Sequence, residues 1–203
     1  MPSRKRLQVY WNPFAEREND PNVDLSLRQT EGDFRRKWNC RIVAKAPNFL
    51  AGVKPYEILL IDGHGNGGVN LFSRENPPAE SLSVAAIALM IQLGKLPTNH
   101  VLIKLLGCRG YLCAQALAQV LRPQYPNIIV GGYTHPVIHG IANRAEFVLP
   151  DLTMVSNWTG SQYVRWYDAH GNAAIKPQRP TFVHYQDHEA YDPDYPTCDL
   201  VPS

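Results

Sequence analysis

Residues 57–68, with the sequence EILLIDGHGNGG, contain the segment that decides the fold. Four consecutive apolar residues, 58–61, lie between two acidic residues, and glycines follow at once. A short apolar run that ends in glycine is typical of a central strand buried on both faces of a parallel sheet. We therefore expect a β-strand over 57–62 and a loop over 63–68.

Downstream of this segment, helical and strand patterns alternate. Apolar residues recur at steps of three and four over 80–96, which predicts an amphipathic helix that a proline ends. A second apolar run, 101–106, predicts another buried strand, while 112–121 has helical periodicity and 127–131 is a third apolar strand. The alternation predicts an α/β fold, a three-layer α/β/α sandwich around a mostly parallel sheet.

The two ends of the chain differ from this pattern. Prolines and a polar run make residues 1–30 an expected irregular segment, and residues 177–203 are expected to form a proline-rich tail. Between these regions, 144–149 and 162–167 are predicted strands of a small antiparallel β-flap appended to the core. A tight turn is expected at 168–172.

Composition excludes several protein classes. The 203 residues are expected to form a single domain, 1–203, and 44% of them are hydrophobic. The longest apolar run, 84–93, is shorter than the ~20 residues of a membrane helix, and the N-terminus lacks the apolar core of a signal peptide. The net charge of +2 does not favour a nucleic-acid binder. Four cysteines without a paired spacing favour reduced thiols, so we expect a reducing, cytosolic environment. We also expect the protein to be a monomer.

Two of the predicted strands end in chemically reactive residues. His64 follows the first strand within a glycine-rich loop, and Cys108 follows the second within the sequence Gly107-Cys108-Arg109. Because functional groups gather at the carboxyl ends of parallel strands, this spacing predicts a cysteine nucleophile and its acid/base partner. Cys113 falls among apolar residues of the following helix, so packing is its expected role.

This pair of motifs resembles the caspase-like (clan CD) cysteine peptidases. The segments 58–65 and 103–108 are most similar to the self-processing cysteine peptidase domains of large clostridial glucosylating toxins and MARTX toxins. The resemblance implies that the Cys108 thiolate is the nucleophile, that His64 protonates the departing amine, and that the N–H groups of Gly65 and Cys108 form the oxyanion hole.

In such toxin domains an acidic residue upstream of the histidine orients it. By resemblance, the candidates for this role are Asp62, Asp33 and Asp24. The implied activity is that of a cysteine endopeptidase acting on a peptide or protein, which includes its own chain, in a bacterial toxin or effector that works in the host cytosol. No metal and no obligatory cofactor are implied.

Toxin-type relatives are also activated by inositol hexakisphosphate, which binds in a basic pocket. Basic residues cluster around position 35, and others occur near the predicted flap. The candidate polyphosphate-binding residues are Arg35, Arg36, Lys37, Lys54, Arg144 and Arg165. A solvated helix face is the alternative interpretation of this cluster.

Two other functions compete with the peptidase. One is a non-catalytic module of the same fold that binds a protein partner or a polyphosphate. The other is dinucleotide binding, because Gly63, Gly65 and Gly68 match the spacing of the dinucleotide fingerprint. That fingerprint requires a helix that starts on the loop, and prolines at positions 77 and 78 disfavour one.

Overall fold

A seven-stranded sheet forms the centre of the molecule. The computed structural model describes residues 8–36, 40–55, 57–74, 79–135, 137–138, 146–148, 154–156 and 164–174. The strands of this sheet are β1 (Gln8–Trp11), β2 (Arg41–Val43), β3 (Ile58–Ile61), β6 (Leu102–Leu105), β7 (Ile129–Tyr133), β11 (Val164–Tyr167) and β12 (Ala173–Ala174). Their order across the sheet is β12-β11-β7-β6-β3-β1-β2.

Most of the sheet is parallel. The neighbouring pairs from β2 through β1, β3 and β6 to β7 all run parallel, whereas β11 pairs antiparallel with β7 and β12 antiparallel with β11. The prediction of an α/β fold with a mostly parallel sheet is therefore confirmed.

Helices pack against both faces of the sheet because successive strand residues point to opposite faces. The helices are α1 (Leu25–Arg36), α2 (Val84–Leu93) and α3 (Tyr111–Leu121). Tyr10 of β1 stacks on Phe34 of α1, with ring centroids 5.2 Å apart. The neighbours of Tyr10 in β1, Val9 and Trp11, belong instead to the core cluster that contains the buried residues of α2 and α3. The sheet thus has α1 on one face and α2 with α3 on the other.

The predicted strands and helices of the central region agree closely with the structure. The strands expected over 57–62, 101–106 and 127–131 are β3, β6 and β7, and the helix expected over 112–121 is α3. The other predicted helix begins later than expected. Residues Ser81–Ser83 form β5, which pairs antiparallel with β4 (Asn70–Phe72), and the Ser83 hydroxyl then caps α2 by accepting from the Ala86 N–H.

The expectation of an irregular segment over 1–30 is wrong for residues 8–11 and 25–30. This region contains all of β1, which lies between β2 and β3 in the sheet, and the first half of α1. All four residues of β1 are buried. The strand was missed because it is so short, starts with the polar Gln8 and ends just before the polar Asn12, so it shows no distinct apolar run.

The predicted flap needs a correction as well. Residues 164–167 of the expected flap strand 162–167 form β11 of the main sheet, where Trp166 lies opposite Gly131 of β7. A separate three-stranded antiparallel sheet consists of β8 (Val137–Ile138), β9 (Glu146–Val148) and β10 (Met154–Ser156). An antiparallel sheet is therefore appended to the core, and the expected strand 144–149 contributes β9 to it, whereas the expected strand 162–167 does not belong to it.

The expected turn at 168–172 is confirmed. The Asp168 N–H donates to the Asn172 carbonyl over 3.0 Å, and Gly171 has a φ of +80°, a conformation that favours glycine. The predicted tail, 177–203, lies outside the described residues. In the part of the chain that the structure describes, no helix combines the length and the apolar character needed to cross a bilayer.

The packing of β11 on β7 generates a stability prediction. A Cβ atom at Gly131 would lie 2.5 Å from the Trp166 ring, so Gly131→Ala forces the ring or the strand to move. We expect Gly131→Ala to lower the free energy of unfolding by about 1–3 kcal/mol in denaturant titrations. The matched control is Gly52→Ala, whose Cβ would meet only the Arg41 side chain at 3.6 Å. Equal stability of the two variants would contradict the close contact of β11 with β7.

Candidate active site

The strand order creates a crevice at the carboxyl ends of β1 and β3. From β1 the chain crosses to β2 through α1 on one face, whereas from β3 it crosses to β6 through α2 on the opposite face. Such a change of direction leaves an open crevice beyond the two strands, the usual location of ligands in parallel α/β sheets. His64 lies three residues beyond the end of β3, next to this crevice.

The backbone of His64 is fixed by a two-bond bridge to Phe72. The His64 N–H donates to the Phe72 carbonyl, and the Phe72 N–H donates to the His64 carbonyl, each over 2.9 Å. The imidazole extends to the start of α1, where its Nε2 lies 3.2 Å from Ser26 Oγ and 3.7 Å from Asp24 Oδ1. The first turn of α1 therefore holds the histidine ring.

Asp24 is the N-terminal cap of α1. Its Oδ1 accepts hydrogen bonds from the backbone N–H and the hydroxyl of Ser26, at 2.8 and 2.5 Å, and its carbonyl accepts from the Arg28 N–H. Burial alone raises the pKa of Asp24. The hydrogen bonds from Ser26 and the charge of His64 outweigh this effect, so the pKa of Asp24 lies below its ordinary value. The carboxylate next to His64 is thus ionised at neutral pH.

The other two candidate acids have different partners. Asp33 lies nine residues further along α1 and forms an ion pair with Arg36 at 3.7 Å. Asp62 is buried beneath the site, where its Oδ2 accepts from the Tyr10 hydroxyl at 2.5 Å and its Oδ1 from the Gly63 N–H at 2.9 Å. Burial raises the pKa of Asp62 to about 6. Of the three candidates, Asp24 is the one whose carboxylate lies next to the His64 ring, with Oδ1 3.7 Å from Nε2.

The loops that carry His64 and Cys108 pack backbone against backbone. A Cβ atom on Gly65 would collide with the Cys108 carbonyl oxygen, and one on Gly107 would lie 2.8 Å from the Gly63 carbonyl oxygen. Only glycine fits at these two positions, because any side chain would separate the loops. The two residues predicted to form the dyad therefore lie on adjoining loops at the ends of the neighbouring strands β3 and β6.

The Cys108 loop has an unusual backbone conformation. Arg109 adopts a φ of +50°, which is uncommon outside glycine, and its N–H donates to the His135 carbonyl over 3.1 Å. Gly110 then caps α3, which begins at Tyr111. Two residues separate Cys108 from this helix. Strained residues of this kind are frequent next to functional groups.

The other described cysteines are buried. Cys113 is only 1% exposed, and burial raises the pKa of its thiol to about 12, which confirms the expected packing role. The Cys40 thiol contacts the side-chain oxygen of Gln8 at 3.3 Å inside the opposite core. Cys108 is more exposed than either of them. Cys198 lies outside the described residues.

The candidate polyphosphate residues are divided between two edges of the sheet. Because α1 runs antiparallel to β1 and β2, its last residues, Arg35 and Arg36, lie at the amino edge, where Lys54 precedes β3. Arg35 already pairs with Glu18 and Glu31, both at 2.8 Å. Arg165 lies instead at the carboxyl edge, over the Tyr111 ring at 5.5 Å. Lys37 and Arg144 lie outside the described residues.

A cleft of about 380 Å³ follows the exposed side of α1. Its basic lining residues are Arg28, Arg35 and Arg36, and the carboxylate of Glu31 also borders it. Across the described residues, no group of three or more histidine, cysteine, aspartate or glutamate side chains is placed to hold a metal ion.

The dinucleotide interpretation disagrees with the structure. The glycine-rich loop leads into β4, which pairs with β5, so no helix begins where the fingerprint requires one. The helix whose N-terminus does lie beside this loop is α1, through Ser26 and His64.

Sequence reasoning missed Ser26 altogether. The signal that could have found it is an aspartate followed by Leu25, Ser26 and Leu27, since a capping residue before an apolar pattern marks a helix start. The signal is weak because it lies in a segment with prolines and a polar run, which is typical of irregular structure.

The buried Asp62 generates a pH prediction. Its pKa rises from the ordinary value of 3.8 to about 6 on folding, so the folded state binds the proton more tightly. The resulting stabilisation is complete below pH ~4 and is lost as the pH rises through about 6, a change of about 3 kcal/mol. Asp62→Asn keeps acceptor and donor groups towards Gly63 and Tyr10 but cannot ionise. We expect its stability relative to the parent protein to increase between pH 4 and pH 7.5 in denaturant titrations; a pH-independent difference would contradict the burial of the charge.

The cysteine environments generate a second prediction for this site. With iodoacetamide at pH 8, Cys108 is expected to be alkylated well before Cys113 and Cys40, because burial both shields the latter two and holds the Cys113 thiol protonated. Peptide mass spectrometry measures the three rates. In denaturant the order should disappear, which is the control. Equal rates in the folded protein would show that Cys108 is a packed core residue.

Comparison with known proteins assigns no family to this site. No protein-family model matches the chain, and no curated protein sequence matches it.

Proposed function

We propose that this protein is a caspase-like cysteine endopeptidase that uses Cys108 and His64. The observation that carries the proposal is the backbone contact between the Gly65 and Gly107 loops, which brings the two motifs together. The contact of the Asp24 carboxylate with the His64 ring supplies the orienting acid that the resemblance implies. The strand order with an appended antiparallel sheet is compatible with a caspase-like fold, which is part of the proposal.

The first half of the reaction forms an acyl-enzyme. The Cys108 thiolate attacks the carbonyl carbon of the peptide, and a carbon–sulfur bond forms while the carbonyl oxygen becomes an oxyanion. The N–H groups of Gly65 and Cys108 stabilise this oxyanion. The His64 imidazolium then transfers its proton to the amine nitrogen, and the carbon–nitrogen bond breaks to leave a thioester and a neutral imidazole.

The second half restores the enzyme. Neutral His64 accepts a proton from a water molecule whose oxygen attacks the thioester carbon. The carbon–sulfur bond breaks, the carboxylic acid leaves, and the thiolate and the imidazolium are regenerated. Asp24 stabilises the imidazolium in both halves, since it is an ionised carboxylate 3.7 Å from Nε2.

The Gly65 N–H is suited to the oxyanion role. In the described part of the chain it has no hydrogen-bond partner, so it can donate to a substrate atom. The Cys108 carbonyl excludes a side chain at Gly65, so no Cβ atom stands beside this N–H.

Activation by inositol hexakisphosphate, action on its own chain and a role as a toxin or effector in host cytosol remain predictions from the resemblance. The cleft with Arg28, Arg35 and Arg36 supports a polyanion site along α1. Arg165 is too remote from it to belong to the same pocket. A non-catalytic module that binds a protein or a polyphosphate is the competing function, and loss of the cysteine decides between the two.

The proposal is tested by removing each member of the dyad. Cys108→Ala and His64→Ala are each expected to abolish cleavage of peptide-library substrates and of the chain itself. When two residues act as a unit, removing one of them lowers the rate nearly as much as removing both. Mass spectrometry of the products gives the rate, and circular dichroism checks the fold. Cys113→Ala, a cysteine removed from the core, is the matched control and should remain active. Cleavage by Cys108→Ala at the parent rate would exclude the mechanism.

Asp24 has a structural role as a cap that must be separated from its proposed electrostatic role. Asparagine caps helices as well as aspartate does, so Asp24→Asn should leave the melting temperature almost unchanged. Because it removes the charge beside His64, we expect a lower kcat. Asp24→Ala should lower both kcat and the melting temperature, and its free energy of unfolding should fall by about 1 kcal/mol. An unchanged kcat in Asp24→Asn would mean that Asp24 only caps α1.

A further inference from the structure

We propose that Ser26 is a positioning residue for His64. The Ser26 hydroxyl links the Asp24 carboxylate to His64 Nε2 and thereby determines which nitrogen of the imidazole takes part in the reaction. The inference rests on the proposed peptidase function. It starts from three atoms of known position: Ser26 Oγ lies 2.5 Å from Asp24 Oδ1 and 3.2 Å from His64 Nε2.

The hydrogens in this chain of contacts can be assigned from the donors present. A serine hydroxyl has one hydrogen and two acceptor lone pairs, and an ionised carboxylate can only accept. The contact with Asp24 is the shorter one, so the hydroxyl hydrogen points to Asp24. Ser26 Oγ therefore faces His64 as an acceptor, and Nε2 must carry a hydrogen.

This assignment leaves Nδ1 as the reactive nitrogen. A hydrogen bond at one ring nitrogen determines the protonation of the other. With Nε2–H donated to Ser26, the neutral ring has its lone pair on Nδ1, and the imidazolium transfers the Nδ1 proton. Proton delivery to the amine and proton removal from water then occur at the same atom.

The arrangement is rigid because Ser26 is part of a helix cap. The Asp24 carboxylate accepts both the backbone N–H and the hydroxyl of Ser26, which fixes the rotamer of the serine. The positive end of the α1 dipole disfavours an imidazolium at this place, and the charge of Asp24 offsets that effect. The Ser26 hydroxyl thus connects the Asp24 carboxylate to the His64 ring, because Asp24 Oδ1 itself lies 3.7 Å from Nε2.

Ser26 is not the nucleophile in this arrangement. A nucleophilic serine donates its hydrogen to the histidine that activates it. Here the hydrogen is directed to Asp24, and Nε2 already carries its own, so the ring cannot accept from Ser26. The role left for the hydroxyl is to hold the ring.

The experiment compares Ser26→Ala, Ser26→Thr and Ser83→Ala in the full chain. Ser83→Ala is the matched control, since Ser83 also has its hydroxyl at a helix start, that of α2, but its oxygen accepts from the Ala86 N–H rather than from a histidine. The first readout is the ¹⁵N spectrum of the His64 ring, assigned with His64→Gln, which reports the tautomer without any need for activity. The second readout is kcat and KM for a cleaved peptide.

We expect the Nε2–H tautomer in the parent protein, in Ser26→Thr and in Ser83→Ala, and a mixture of tautomers in Ser26→Ala. The kcat of Ser26→Ala should fall with little change in KM, by less than the ~10²–10⁴-fold effect of removing an acid/base group, and Ser26→Thr should recover most of it.

Two results would overturn the inference while the peptidase proposal stands. One is an active Ser26→Ala variant with the parent's tautomer and kcat. The other is a loss of kcat in Ser26→Ala that Ser83→Ala shows equally, or that Ser26→Thr does not recover. Either outcome would indicate that the substitution disturbs the structure rather than the position of the His64 ring. If the parent protein cleaves nothing, the peptidase proposal fails, and the tautomer measurement alone decides whether Ser26 fixes His64.

Discussion

The insertion of β1 between β2 and β3 is the constraint on which the rest of this molecule depends. The strand forms ladders with both neighbours, and each of its four residues is buried. Its position decides where α1 crosses the sheet, since α1 joins β1 to β2 and packs through Phe34 on Tyr10. As a consequence, the start of α1 lies beside the loop after β3, and Asp24 and Ser26 meet His64 there.

Two carboxylates near the candidate site have opposite electrostatic environments. Asp62 is fully buried beside Tyr10, and the cost of burying its charge raises its pKa to about 6. Asp24 lies at a helix N-terminus with two hydrogen bonds from Ser26, and its pKa is lowered. The charged acid, Asp24, is therefore the one next to His64, while the buried acid, Asp62, follows β3 and accepts a hydrogen bond from Tyr10 of β1. In the proposed mechanism, this separation leaves one permanent negative charge next to His64.

The Cys108 side of the site depends on backbone geometry instead of charge. Gly65 and Gly107 allow two loops to approach so closely that a single Cβ atom would separate them. The left-handed conformation of Arg109 turns the chain into α3 and is held by the hydrogen bond to the His135 carbonyl. Fixed loops of this kind reduce the reorganisation that a reaction requires, because the groups are in place before the substrate binds.

The sequence by itself determined the strands β3, β6 and β7, the helix α3 and the position of His64 and Cys108 on the loops after two of these strands. These elements have apolar runs or helical periods that are visible within a few residues, and parallel strands bring their carboxyl ends to one edge. Only the tertiary structure decided that residues 8–11 are a central strand, that Trp166 joins the main sheet opposite Gly131, and that Asp24 and Ser26 contact His64. The physical reason is distance along the chain: Ser26 and His64 are 38 residues apart, and their contact follows from strand order, which local patterns do not specify.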